Sequence, residues 1–212
     1  MREIHEPRVV GCHAGCTEEI EHENFLCPNK LAVLGERRRM NTDYFIFLGL
    51  YLFSLVIRTS YELLKKAHRV NPKNTMVFAV ILVVMCLMWA TWFGMCPLDP
   101  LRLSLPEGVR WIGLALLIVG LGLSIGALVQ LKGVENINHL VTTGLFSRIR
   151  HPMYAGFILW IFGWAIYHGA LLSLIVGFVG IGNILYWRRL EEAELELRYG
   201  ENYRRYRKET WF

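Results

Sequence analysis

A chain of 212 residues that is 54% hydrophobic, with 23 basic against 18 acidic residues and a net charge of +5, resembles neither a soluble enzyme nor a disordered tail in composition. Its mean hydropathy is positive. These values place the chain in the membrane class, with no nucleic acid expected as a partner.

Residues 1–40 form a polar leader containing "CHAGC" at Cys12–Cys16, then His22 and Cys27. Cys and His are zinc ligands, but this spacing matches no closed ligand set, so no metal site is expected and the leader reads as a flexible extension. It lacks the apolar core of a cleavable signal peptide. Met40, opening "MNTDYF", offers an alternative start for the functional chain.

Crossing ~30 Å of hydrocarbon takes about 20 apolar residues. The runs Thr75–Cys96, free of charge, and Val109–Leu131, charged only at Arg110 near its start, meet that length, and both read as spans. Tyr44–Ile57 is shorter and becomes a span if its helix continues through Arg58 and Tyr61 with the Arg snorkelling to the interface. Pro152–Tyr167 and Ala170–Trp187 also lack charge and are separated by His168 and Gly169, which predicts a tight helical hairpin. The expected fold is all-α, an integral membrane bundle of about five transmembrane helices. Cys86 and Cys96 read as small buried hydrophobes in a span. In "VGLGLSIG", Gly120, Gly122 and Gly126 are expected to permit close helix packing rather than to touch a cofactor.

Short cytoplasmic loops carry an excess of Lys and Arg. Arg58, Lys65, Lys66, Arg69 and Lys73 follow the first run, Lys132, Arg148 and Arg150 follow the third, and the tail after Trp187 is basic. The intervening loops hold only Arg102 and Arg110. Both basic loops and the tail are therefore expected in the cytoplasm, with the N-terminus outside. Arg37, Arg38 and Arg39 then fall on the opposite side, a conflict relieved if the first run does not fully cross.

Charge near membrane depth is costly and tends to mark function. Polar residues gather in Gly133–Tyr154, Tyr186–Gly200 and Glu201–Phe212, all on the expected cytoplasmic side, so they can meet over one end of the bundle. In "RHPMY", the residue before proline is driven to extended backbone while proline suits the first helical turn. Pro152 thus starts a span, and irregular chain before it presents His151 and backbone amides at the interface. On the helix leaving the last span, Arg188 and Glu192 stand at i and i+4 on one face, a spacing that also serves ordinary surface pairing.

Several co-linear motifs carry a resemblance. Leu140-Val141-Thr142-Thr143-Gly144, then Arg150-His151-Pro152-Met153-Tyr154, then Arg188-Arg189-Leu190-Glu191-Glu192, then Tyr199-Gly200-Glu201-Asn202-Tyr203-Arg204-Arg205-Tyr206 are similar to the isoprenylcysteine carboxyl methyltransferases and the related phospholipid N-methyltransferases. The likeness covers residues from Gly133 to the C-terminus. It implies S-adenosylmethionine-dependent methyl transfer at the cytoplasmic membrane face, the cofactor being held in a cytoplasmic pocket of the membrane fold. No Gly-rich phosphate loop follows a predicted strand, which agrees with the absence of a Rossmann cofactor site.

Under that resemblance residues 41–131 form the first three transmembrane helices, and 132–212 form the cofactor and catalytic region. Extended backbone at Leu140 and Val141 lines the adenine and methionine parts, with Asn138 and His139 as side-chain contacts and Gly144 in the same motif. Phe146 packs on the adenine, or is simply an interfacial aromatic. Arg150, His151, Pro152, Met153, Tyr154, Glu191 and Glu192 complete the cofactor set. Arg188 and Glu192 are the expected catalytic pair, the Arg clamping an acceptor carboxylate with its bidentate fork. The tail is preferred as an interfacial helix drawn to anionic lipid, the alternative being that Tyr203, Arg204 or Tyr206 enters the site. Gly200 is expected to cap the preceding helix.

The expected acceptor is the C-terminal carboxylate of an isoprenylated cysteine or a similar lipid-linked carboxylate entering from the membrane. A phospholipid amine is the second reading, and a non-enzymatic protein that kept the fold is the third.

Overall fold

The computed structural model describes residues 28–71, 74–131 and 140–212, with side chains from residue 41 onward. Among the described residues six α-helices follow one another: α1 Pro28–Lys66, α2 Thr75–Met95, α3 Glu107–Leu131, α4 Pro152–His168, α5 Leu171–Tyr199 and α6 Glu201–Glu209, with 3-10 turns at Cys96–Leu98 and Gly144–Ser147. Among the described residues there is no strand, only the isolated bridges Arg102–Ala170 and Ile149–Trp211. The all-α membrane bundle expected from sequence is therefore found. Helical backbone begins inside the polar leader, at Pro28. Cys12, Cys16, His22 and Cys27, and the side chains of Arg37, Arg38 and Arg39, lie outside the described residues.

Among the described residues, four helical segments are long and apolar enough to cross a membrane: Asn41–Lys66, Thr75–Leu98, Glu107–Leu131 and Leu171–Tyr199. The first therefore runs well past Ile57, as its crossing required. The fifth expected span, α4, has 17 residues, about 26 Å at ~1.5 Å per residue. Its length is set by punctuation: Pro152 opens it, and Gly169 at φ 64° closes it in a left-handed cap. The same glycine makes the tight turn into α5, so the hairpin forms where the sequence placed it. Large apolar side chains remain exposed around the outside, such as Val83 at 66% and Val129 at 70%. A soluble protein rarely tolerates such a surface, whereas a lipid-facing one requires it.

α3 and α4 pack backbone against backbone. A Cβ on Gly120 would sit 2.6 Å from the Gly156 carbonyl oxygen, and one on Gly163 would sit 2.5 Å from the Leu117 amide nitrogen. Ser124 Oγ donates to the Gly120 carbonyl at 3.0 Å and to that of Met153 at 3.3 Å, sealing the pair. Gly120 thus packs as expected, but Gly122 faces open space and Gly126 meets only the Leu145 side chain. The other half of the bundle closes on Tyr44, Tyr51, Trp92, Ile161, Ile184 and Trp187, all buried. Cys96 is buried and Cys86, contrary to expectation, is exposed; both are free thiols.

The two ends of the bundle differ. At one end Asp99 is buried and fully employed, accepting from the Leu101 amide at 2.8 Å and from Ser173 N and Oγ at 2.6 and 2.7 Å, which caps the start of α5. At the other end the last turns of α1, α3 and α5 meet the first turns of α2 and α4, with α6 folded across them.

Candidate active site

At that polar end lies a cavity of about 420 Å³, within the range of about 300–1,000 Å³ common for small-molecule sites. Leu140, Val141, Phe146, Arg150, His151, Pro152, Met153, Tyr154 and Glu191 all line it, as do Tyr203 and Tyr206. The sequence motifs, separated along the chain, therefore converge. A shallower polar recess shares Leu140 and Tyr206 with this cavity and opens between Thr142, Asn202 and Thr210.

His151 is positioned by the proline that follows it. Its backbone is non-helical (φ −125°, ψ 63°), so the imidazole leaves α4 at its N-terminal end while Pro152 begins the helix. The ring is buried, stacked 5.6 Å from Tyr154, with Nε2 3.3 Å from Glu192 Oε1 and Nδ1 3.7 Å from Glu191 Oε2. Arg150 Nε lies 3.4 Å from the same Glu192 oxygen. These are charge-distance contacts without hydrogen-bond alignment, for Arg150 Nε, His151 Nε2 and Glu192 Oε1 all lack a hydrogen-bond partner.

The C-terminal segment holds this loop in place. Arg150 Nη1 donates to the carbonyls of Arg207 at 2.9 Å and Thr210 at 2.6 Å, the Arg150 amide donates to the Trp211 carbonyl at 3.0 Å, and the Trp211 amide to the Arg148 carbonyl at 2.9 Å. α6 is the lid over the cavity. Tyr203 is completely buried and Tyr206 nearly so, while Arg204 turns outward to Glu196 at 2.7 Å. Of the three tail residues considered, Tyr203 and Tyr206 line the cavity and Arg204 does not. Burial pushes the Tyr206 phenol up to about 12 and the Tyr203 phenol higher still, so both remain hydrogen-bond donors at neutral pH. Tyr206 Oη donates to the Phe146 carbonyl at 2.6 Å. Tyr206→Phe should cost about 1 kcal/mol of stability through that one bond, measurable as a small drop in melting temperature with the fold intact.

Three expected residues stand elsewhere. Arg188 does not line the cavity; its guanidinium lies 4.7 Å over the Phe212 ring. Glu192 sits behind the cavity wall, paired to Arg150 and His151 rather than exposed to the space itself. Gly144 is a turn residue at φ 63°, packed against Gln130, whose Oε1 accepts from the Leu145 amide at 3.0 Å. Gly200 caps α5 as expected, with positive φ. Asn138 and His139 lie outside the described residues.

The cavity also has a wall for which the motifs gave no signal. Arg58, Glu62 and Lys65 from α1 and Phe78, Met85 and Trp89 from α2 face it, and Trp160 of α4 extends its apolar limb. Arg58 does not snorkel. It is 9% exposed, ion-paired to Glu62 and stacked beside Tyr61 and Trp187. The available signal was its position, a charge inside an otherwise apolar helix.

A membrane bundle with a largely apolar cavity at its polar end, bordered by a short amphipathic helix, is the class that fold and site define. The phospholipid methyltransferase family model matches residues 109–202, which include nearly all of α3, then α4, α5 and the start of α6. A protein-S-isoprenylcysteine O-methyltransferase from Schizosaccharomyces pombe (strain 972 / ATCC 24843) is 33% identical over 78 residues, 36% of this chain and 33% of that relative. The match therefore spans about a third of the curated relative's length. No solved structure matches. Over these residues the chain is similar to the phospholipid methyltransferases and to an isoprenylcysteine O-methyltransferase.

Proposed function

We propose that this protein is an S-adenosylmethionine-dependent methyltransferase of the cytoplasmic membrane face, acting on the carboxylate of an isoprenylated cysteine or a similar lipid-linked acid. One observation carries the reading. Of nine buried side-chain polar atoms without a hydrogen-bond partner among the described residues, five belong to residues that line the cavity, Arg58, Arg150, His151, Trp160 and Tyr203. Buried polar groups are nearly always satisfied, so such a concentration marks a site whose partners arrive with a ligand.

The donor set fits the proposed cofactor. His151 and Tyr203 offer polar atoms for a nucleoside and amino-acid moiety, Phe146 and Tyr154 offer aromatic faces, and Glu191 offers a carboxylate to an ammonium. S-adenosylmethionine supplies, when bound, a methyl group activated by a sulfonium. A carboxylate acceptor with a reference pKa of about 3.5 is already ionised at neutral pH, so this chain need supply no strong base. Its contribution is alignment at near-attack distance and exclusion of water by the α6 roof. Glu192 orients Arg150 and His151 from behind the wall, a positioning role.

A phospholipid amine is the second reading, favoured by the description of the matching family model. That acceptor must lose a proton, and Glu191 or His151 is the group placed at the cavity to take it.

Titrating the detergent-purified protein with S-adenosylhomocysteine tests the proposal. Saturable binding, weakened at least about tenfold (~1.4 kcal/mol) by His151→Ala, supports it. A folded native chain that binds no S-adenosylhomocysteine refutes it and leaves a non-enzymatic bundle.

A further inference from the structure

The geometry points to Arg58 as the anchor for an anionic group on the lipid-linked acceptor, an inference that rests on the methyltransferase reading above. α1 lies wholly outside the segment matched by the family model, so nothing in that match assigns its residues a part in the site.

Arg58 has the features of a built subsite. It lines the cavity, is more than nine-tenths buried, and its Nε makes no hydrogen bond. Its guanidinium is held 5.4 Å from the Tyr61 ring and 5.2 Å from the Trp187 ring, so the fork cannot swing freely. Trp187 is itself fixed, its Nε1 donating to Thr59 Oγ1 at 3.1 Å while that hydroxyl donates to Asn183 Oδ1 at 3.0 Å. Glu62 balances the charge but is a single carboxylate on the same helix, one turn away. A guanidinium presents five donors, and a buried fork with an unused Nε is suited to a second planar anion.

Position selects the acceptor rather than the cofactor. Arg58 and Glu62 of α1 line the same cavity as His151, Tyr154 and Glu191. From there the cavity runs into its apolar limb past Phe78, Met85, Trp89 and Trp160. A lipid chain in that limb brings its head group to Arg58. Arg188, which the sequence suggested for this task, packs on Phe212 outside the cavity.

The test compares binding of three probes to the full detergent-purified chain saturated with S-adenosylhomocysteine: N-acetyl-S-farnesylcysteine, its carboxamide, and a short-chain phosphatidylethanolamine. Native protein should bind one of the two probes that carry an anionic group, the farnesylcysteine carboxylate or the phospholipid phosphodiester, at least tenfold more tightly than Arg58→Gln does, with S-adenosylhomocysteine affinity unchanged within twofold. If that probe is the farnesylcysteine acid, its advantage over the carboxamide should vanish in the variant, and the anion is a carboxylate. If it is the phospholipid, the anion is a phosphodiester. The double variant Arg58→Met with Glu62→Gln removes both charges together, avoiding an unpaired buried Glu62, and should repeat the loss. Variants that keep S-adenosylhomocysteine affinity and bind both anionic probes as the native chain does overturn the inference. So does loss of S-adenosylhomocysteine binding in both variants, which would make Arg58 a support of the fold. A native chain that binds the cofactor product but neither anionic probe refutes the anchor alone; one that binds no cofactor product refutes the methyltransferase reading as well.

Discussion

Replacing Glu192 by Ala is expected to weaken S-adenosylhomocysteine binding at least about tenfold, ~1.4 kcal/mol, and to lower the melting temperature as well. One carboxylate oxygen serves two partners, Arg150 Nε at 3.4 Å and His151 Nε2 at 3.3 Å, with side chains only 13% and 5% exposed. Breaking a buried pair from one side leaves the other side uncompensated, at a cost of about 3–5 kcal/mol. Glu192 is 18% exposed, so water offsets part of this and the lower end, about 3 kcal/mol, is the expected loss of stability. The damage travels further than the pair. Arg150 also holds the C-terminal segment through the Arg207 and Thr210 carbonyls, so an Arg150 freed from Glu192 loosens the roof of the cavity. Glu192→Gln keeps the shape and an acceptor oxygen but not the charge, and should fall between native and Ala. Calorimetric titration together with thermal unfolding of the three proteins checks this; an Ala variant equal to native in both would deny Glu192 its positioning role.

Much of this molecule was legible in the sequence because membrane burial leaves long, one-sided signals. Twenty charge-free residues have few uses besides crossing lipid, and the Pro152 and Gly169 punctuation placed α4 to within one residue, its end at His168 rather than Tyr167. Motif spacing was similarly strong: Leu140, Val141, Arg150, His151 and Glu191 are distant in sequence and line one cavity. The direction of side chains was not legible. Spacing put Arg188 and Glu192 on one helix face, but which face looks into the cavity depends on how α5 is rotated against α1 and α4, and no local pattern encodes that rotation. Arg188 consequently meets Phe212, and Glu192 turns to Arg150 and His151.

The α1 wall was hidden for a related reason. A lone Arg at the end of a short apolar run reads equally well as a snorkelling side chain or as a buried one. Only the arrival of Trp187 from α5, 5.2 Å away, and Tyr61 from its own helix makes burial the lower-energy choice. In α6, the alternation of Tyr with Arg already had the form of a two-faced helix. What the sequence could not supply was the Phe146 carbonyl that receives Tyr206, since that contact joins segments 60 residues apart.

The largest structural effect is expected from a single methyl group. Gly156→Ala places a Cβ into Ser124 Oγ and the Gly120 carbonyl oxygen, closer than van der Waals contact allows. A flexible side chain can rotate aside, but the carbonyl belongs to the backbone of α3, so the two helices must separate. Overpacking typically costs about 1–3 kcal/mol, and here the upper end or more is expected, because dispersion along the whole α3–α4 contact weakens with the gap. Gly122→Ala provides the control. It lies on α3 two residues from Gly120, and its added Cβ meets nothing within 4 Å. Helix propensity favours alanine over glycine there by up to about 1 kcal/mol, so that variant should be neutral or slightly stabilised. The consequence for function follows from α4 geometry. His151 is fixed by the first turn of α4, and Ser124 Oγ ties that turn to α3 through the Met153 carbonyl at 3.3 Å. Separating the helices therefore shifts His151 away from Glu191 and Glu192. Gly156→Ala should lose S-adenosylhomocysteine binding along with stability, whereas Gly122→Ala should keep both. Equal melting temperatures for the two variants would mean that α3 and α4 are not held backbone to backbone.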